Sequence, residues 1–127
     1  MTAQVASAEL AAVADGRVAV LVPAAMVAEV VGALGAAGLD AVDPRDPDGP
    51  GLAAPLVVLP APESHGLEFD SVVVVEPAAI VAEEAEDAAR PQEATAGYRA
   101  LYVALTRPTR RLAIVHARDL PRGLEVP

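Results

Sequence analysis

Two short runs in this chain carry residue types that could do chemistry. The first is Thr106-Arg107-Pro108, preceded by an apolar pattern. Tyr98, Leu101, Tyr102 and Leu105 recur at i, i+3, i+4 and i+7, which predicts a helix with one apolar face. Pro108 disfavours helical geometry at Arg107, so the helix should stop there and deliver the arginine at its end. A guanidinium on stiff backbone is a preorganised cation of the kind that phosphoryl transfer uses on the γ-phosphate. Its planar fork can bond two oxygens at once, which an ammonium cannot do. The second run is Gly66-Leu67-Glu68-Phe69, placed just before Val72–Val75. A glycine in that position allows a tight turn or close approach of backbone to a ligand. Glu68 could accept hydrogen bonds from sugar hydroxyls.

Each run also has a plain structural explanation. Gly66 could be a turn glycine only, and Glu68 a solvated charge. Arg107, Arg110 and Arg111 could cap helix carbonyls or pair with the acidic stretch Glu83–Asp87. His116 ends a predicted strand, far in sequence from any other ligand type except His65, and reads as a structural histidine.

The elements that must position these residues alternate along the chain. Arg17–Val22, Pro55–Leu59, Asp70–Glu76 and Arg111–His116 read as short buried strands, and Leu39–Val42 as a possible fifth. The unbroken run of valines after Ser71 suits a strand covered on both faces. Ala24–Ala37 sets Met26, Val27, Val30, Val31 and Leu34 on one helical face, with Gly38 as its stop. Ala78–Ala89 reads as a helix grading into an exposed acidic segment, and Gln92–Thr106 as the helix that ends at Arg107. Asp43–Gly51 and Pro60–Gly66 are loops by their Pro, Gly and Asp content. Short strands alternating with helices predict an α/β domain, a mostly parallel sheet flanked by helices. Phe69, Tyr98 and Tyr102, the chain's only aromatics, are all expected in the core.

Composition narrows the function. The 127 residues suit a single domain over 1–127. Hydrophobic residues make up 54% and aromatics 2%, so Ala, Val, Leu and Ile must build the core. All nine basic residues are arginine, and cysteine is absent, which excludes disulfides and thiolate metal sites. A formal net charge of −9 makes the chain a poor general binder of phosphate backbones, so nucleic-acid contact through it should be weak. No signal peptide is evident and no apolar run is long enough to span a bilayer, so no membrane partner is expected and the cytoplasm is the expected location.

Taken together, the two runs resemble a known family. GLEFDSVVVVEP is similar to motif V of the UvrD/Rep-type superfamily 1 helicases, and LYVALTRPTRRLAIVH to their motif VI. The resemblance is strongest over 56–116, and Arg17–Leu39 resembles the strand–helix unit around motif IV. It implies the second RecA-like domain of a helicase-like ATPase, a P-loop NTPase-type fold without its own P-loop. In that family ATP with Mg²⁺ lies between two RecA-like domains, and an N-terminal one supplies the phosphate loop and the acids that serve the metal and the water. The resemblance gives Arg107 the role of arginine finger on the γ-phosphate. It gives Glu68 the ribose contact and Gly66 the nucleotide-side turn, with Thr106 supporting the helix end.

With no lysine the chain has no G-x-x-x-x-G-K-[ST], so alone it should not hydrolyse ATP, and it reads as part of a longer protein. It also departs from the family on the nucleic-acid side. His65 stands where motif V usually has lysine, and Pro62 where DNA-translocating members tend to have a histidine. Pro23 stands where motif IV often offers an arginine, and Arg99 and Ala100 replace part of a more basic stretch that precedes motif VI in the family. These departures resemble the HelD branch, whose members remodel RNA polymerase. The alternatives are a DNA-translocating helicase of the same superfamily and a non-catalytic interaction module that keeps the fold.

Overall fold

The structure is a computed structural model, and it describes residues 2–86, 96–117 and 119–120. Helix α1 (Thr2–Val13) leads into strand β1 (Val18–Val22). A short 3₁₀ turn at Ala24–Met26 then opens α2 (Val27–Ala36). Next come β2 (Leu56–Pro60), a 3₁₀ turn at Ala61–Ser64, and β3 (Phe69–Val75). Helices α3 (Pro77–Glu86) and α4 (Ala96–Leu105) precede β4 (Pro108–Val115).

All pairings are parallel, in the order β2-β1-β3-β4. The sheet is covered on both faces, and alternation along the strands sorts the core into two layers. Val18, Val20, Val22, Val58, Val73 and Val75 face the layer of α1 and α2, where Ala6, Val13, Val30 and Leu34 lie. Ala19, Leu21, Val57, Leu59, Val72 and Val74 face the other layer, with Ile80, Ala100, Leu101 and Ala104. Phe69 belongs to this second layer, and an irregularity in the β3–β4 register falls between Phe69 and Ser71, where β4 uses one more residue than β3.

Helix α2 ends as its glycine predicts. Gly38 takes φ +86°, Gly38 N–H donates to Gly35 C=O at 3.0 Å and Leu39 N–H to Leu34 C=O at 3.0 Å, the paired bonds of a Schellman stop. The predicted strand Leu39–Val42 reduces to one parallel bridge, Val42 with Val57. The final strand begins earlier than its apolar pattern suggests, because Pro108 already pairs with Phe69, and proline is tolerated at a strand's first residue. Residues 87–89 of one predicted helix and 92–95 of the other lie outside the described residues.

Two expectations need correction. Residues 2–13, not predicted as an element, form α1, which lies against β1, β3 and β4. Tyr98 and Tyr102 are not core: they are 47% and 68% exposed. The buried stripe of α4 is instead Ala100, Leu101 and Ala104, so the helix approaches β3 through small residues and turns its aromatics outward.

Candidate functional site

Gly66, Glu68 and Arg107 meet at the amino edge of the sheet. Gly66 and Glu68 lead into β3, and Arg107 leads into the neighbouring strand β4. The two runs are joined twice. Phe69 N–H donates to Arg107 C=O at 3.2 Å, and Arg107 Nη1 donates to Leu67 C=O at 3.2 Å. Adjacent parallel strands explain the meeting, since the segments that precede them must arrive side by side.

Arg107 is half-buried and held by its own helix. Its Nε donates to Val103 C=O at 3.0 Å and its Nη2 to Thr106 Oγ at 3.2 Å. Thr106 Oγ in turn donates to the carbonyls of Tyr102 and Val103, each at 3.0 Å. Two orphan carbonyls of the last turn of α4, those of Tyr102 and Val103, are thus satisfied by the residues that end it. These bonds and the one to Leu67 account for three of the five N–H groups of the guanidinium. The arginine caps carbonyls here, and it keeps N–H capacity beyond those three bonds.

Glu68 is exposed, and so is Gly66. Gly66 takes φ +83°, which a side chain rarely adopts, while a Cβ there would meet nothing within 4 Å. Backbone conformation therefore requires this glycine, and space beside it is open. Leu67 N–H closes the turn onto Ser64 C=O at 3.0 Å. His65 and Pro62 on the same loop are exposed, whereas Pro23 is buried at the opposite edge.

Arg17, which the sequence did not single out, completes the edge. It immediately precedes β1, and its guanidinium lies 5.1 Å from the centre of the Phe69 ring. Its Nη1 donates to Leu52 C=O and its Nη2 to Glu68 C=O, both at 2.9 Å. Its backbone N–H donates to Asp70 Oδ2 at 2.7 Å. A Cβ at Gly16 would stand 2.7 Å from that carboxylate, so the glycine gives Asp70 its room. No pattern in the sequence marks Arg17, because its partners are main-chain atoms 35 and 51 residues away.

Doubly wound sheets usually hold ligands at the carboxyl ends of their strands, where successive connections diverge. In this order that crevice lies between β1 and β3. Glu83 of α3 already projects there: its two oxygens accept the N–H groups of Ala24 and Ala25 at 2.6 and 2.9 Å. The chain's own carboxylate takes two donors that an anion would use there, whereas the residues singled out in the sequence lie at the amino edge.

Of the acidic stretch only the Glu83 side chain is among those described, and it pairs with none of the arginines, while the capping alternative holds for Arg107, which bonds the Val103 carbonyl. Glu83 caps α2's 3₁₀ turn, and Arg111 instead pairs with Glu9 of α1 at 2.8 Å. Glu9 is buried and also accepts the Ser71 hydroxyl at 2.6 Å. Hydrogen bonding to Arg111 first, then to Ser71, holds its carboxyl below the usual glutamate range against the opposing effect of burial. This clasp fixes α1, β3 and β4 together next to the site.

No group of three or more His, Asp or Glu able to hold a metal occurs among the described residues, and none of the described helices is long and apolar enough to cross a membrane. No family model and no curated protein sequence matches the chain. Among solved structures, the C-terminal domain of a possible DNA helicase from Lactobacillus plantarum WCFS1 shares the fold, with TM-score 0.60 and 22% identity. The match covers 94% of this chain and 64% of that one, so this chain spans less than two thirds of that structure's length. The fold is thus α/β and RecA-like, a parallel sheet flanked by helices as in that helicase C-terminal domain.

Proposed function

We propose that this chain is the closing half of an ATP site in a helicase-like ATPase. The observation that supports this reading best is the meeting of Arg107 with residues 66–69, through both backbone and guanidinium, at one sheet edge. In this role Arg107 turns its N–H groups to the γ-phosphate, Glu68 accepts from the ribose hydroxyls, and Gly66 forms the turn beside the nucleotide. The residues present fit half of such a site: an exposed carboxylate, an arginine with three of five N–H groups accounted for, and open space at a left-handed glycine. The phosphate loop and the Mg²⁺ ligands belong to an N-terminal RecA-like partner domain, since this chain has no lysine. ATP with Mg²⁺ would supply the phosphoryl group. The chain's part is to bring a fixed cation to charge developing on it, and to couple nucleotide binding to closure of two lobes.

For the parent protein we propose a cytoplasmic, HelD-like action on RNA polymerase. The net charge of −9, His65 in place of a fixed cation and the exposed Pro62 all argue against strong contact with nucleic acid. One observation favours a DNA-translocating helicase instead. Tyr98 and Tyr102 lie one helical turn apart on α4 and are exposed, as bases stacking on a protein surface require.

The test is Arg107→Ala in the full-length protein. ATP turnover should fall by about a hundredfold or more, on the scale of other arginine fingers. Unchanged turnover would sink the ATP-site reading and leave a non-catalytic interaction module. Stimulation of turnover by single-stranded DNA separates the translocase from the polymerase-remodelling reading, which instead expects binding to RNA polymerase.

A further inference from the structure

We infer that Arg17 is a positioning residue for the ribose-side carboxylate, holding Glu68 in place while Arg107 engages the nucleotide. This rests on the ATP-site reading above and goes beyond it, because Arg17 belongs to neither motif and precedes a different strand.

Two arginines hold consecutive carbonyls of one loop. Arg107 Nη1 takes Leu67 C=O at 3.2 Å, and Arg17 Nη2 takes Glu68 C=O at 2.9 Å. The two anchors differ in what else is asked of them. A guanidinium that turns to a phosphate presents its Nη groups as a fork. The 3.2 Å bond from Arg107 to Leu67 is longer than the 2.9 Å bond that Arg17 makes, and reorientation would give it up together with the 3.2 Å bond to Thr106 Oγ. Glu68 would then depend on Arg17 and on the backbone bond from Phe69.

Arg17 is built to stay. Its backbone N–H is fixed by Asp70, its C=O accepts Ser71 N–H at 3.2 Å, and its guanidinium rests over Phe69, which is 2% exposed. Asp70 takes the backbone N–H of Arg17 at 2.7 Å, while the guanidinium donates to two carbonyls. Because Nη1 and Nη2 reach Leu52 and Glu68 at once, the loop before β2 and the loop before β3 are tied through one planar group. A lysine offers one rotatable ammonium in place of the rigid planar fork that reaches the two carbonyls from separate nitrogens.

The experiment measures equilibrium binding of ATP and of inorganic tripolyphosphate, which lacks the ribose, to the full-length protein. The variants are Arg17→Ala, Arg17→Lys, Glu68→Ala and the Arg17→Ala/Glu68→Ala pair. Arg17→Ala and Glu68→Ala should each weaken ATP binding about three- to tenfold, the worth of one sugar hydrogen bond, and leave tripolyphosphate unchanged. The pair should be no weaker than either alone, and hydrogen exchange over residues 64–70 should quicken in Arg17→Ala. Should Arg17→Ala fail to fold, Arg17→Lys carries the same expectation for ATP against tripolyphosphate. Wild-type ATP affinity in the Arg17 variants, beside a weakened Glu68→Ala, overturns the inference alone. Equal loss on both ligands, or additive losses in the pair, also overturns it. Unchanged affinity in Glu68→Ala overturns the ribose role of Glu68 and this inference with it.

Discussion

Ser71→Ala should destabilise the protein by about 1.5 kcal/mol at neutral pH, and the loss should fade in acid. Ser71 is fully buried, and its hydroxyl donates to the Glu9 carboxylate at 2.6 Å. A hydrogen bond to a charged acceptor contributes about 1.5–3 kcal/mol. The lower end applies because Glu9 keeps Arg111, whose Nε and Nη2 lie at 2.8 and 3.2 Å, so the carboxylate is not left bare. With an unfolding entropy near 2 cal/mol/K per residue, that loss lowers Tm by about 6 °C for a chain of this length. The folded carboxyl of Glu9 is held low by Arg111 and Ser71. Its contribution is therefore complete above the unfolded value, about pH 4.3, and disappears as pH falls through the lowered folded value. Urea unfolding of Ser71→Ala and wild type at pH 7 and in the acid range measures the difference between them. A cost below about 0.5 kcal/mol at pH 7, or a cost as large in acid as at pH 7, would refute the reasoning. The first result would mean that hydroxyl and carboxylate do not meet, the second that the loss is a packing defect. The clasp matters for function because Ser71 and Arg111 pair across β3 and β4 just beyond Glu68 and Arg107.

Two further substitutions test the placement of the helices. Tyr102→Ala, at a side chain 68% exposed, should change stability by no more than about 0.5 kcal/mol in urea unfolding, where a core aromatic would cost about 3–5 kcal/mol. Glu83→Ala removes the acceptor of Ala24 and Ala25 N–H, and should cost about 1 kcal/mol, the usual worth of a helix cap, read as a lower Tm and faster amide exchange at those two residues.

Local pattern determined much of this protein. β-branched runs marked β1 and β3, because a strand buried on both faces has no place for polar residues and reads as unbroken valine. Gly38 and Pro108 marked where helices stop, because those constraints act within a residue or two. The order of strands and helices marked the α/β class, and Gly66, Glu68 and Arg107 stood out by type and spacing.

What the tertiary structure alone decided concerns faces and long-range partners. The repeat of Tyr98, Leu101, Tyr102 and Leu105 fitted an apolar stripe, but periodicity fixes only which residues share a face. Which face meets the sheet depends on how closely the helix must approach, and α4 is packed through Ala100, Leu101 and Ala104. The alanine-rich start gave no amphipathic signal, and its role depends on Glu9 finding Ser71 and Arg111, 62 and 102 residues away. Arg17 serves the site by bonding carbonyl oxygens, which every residue has, so only the folded chain could show which ones it reaches.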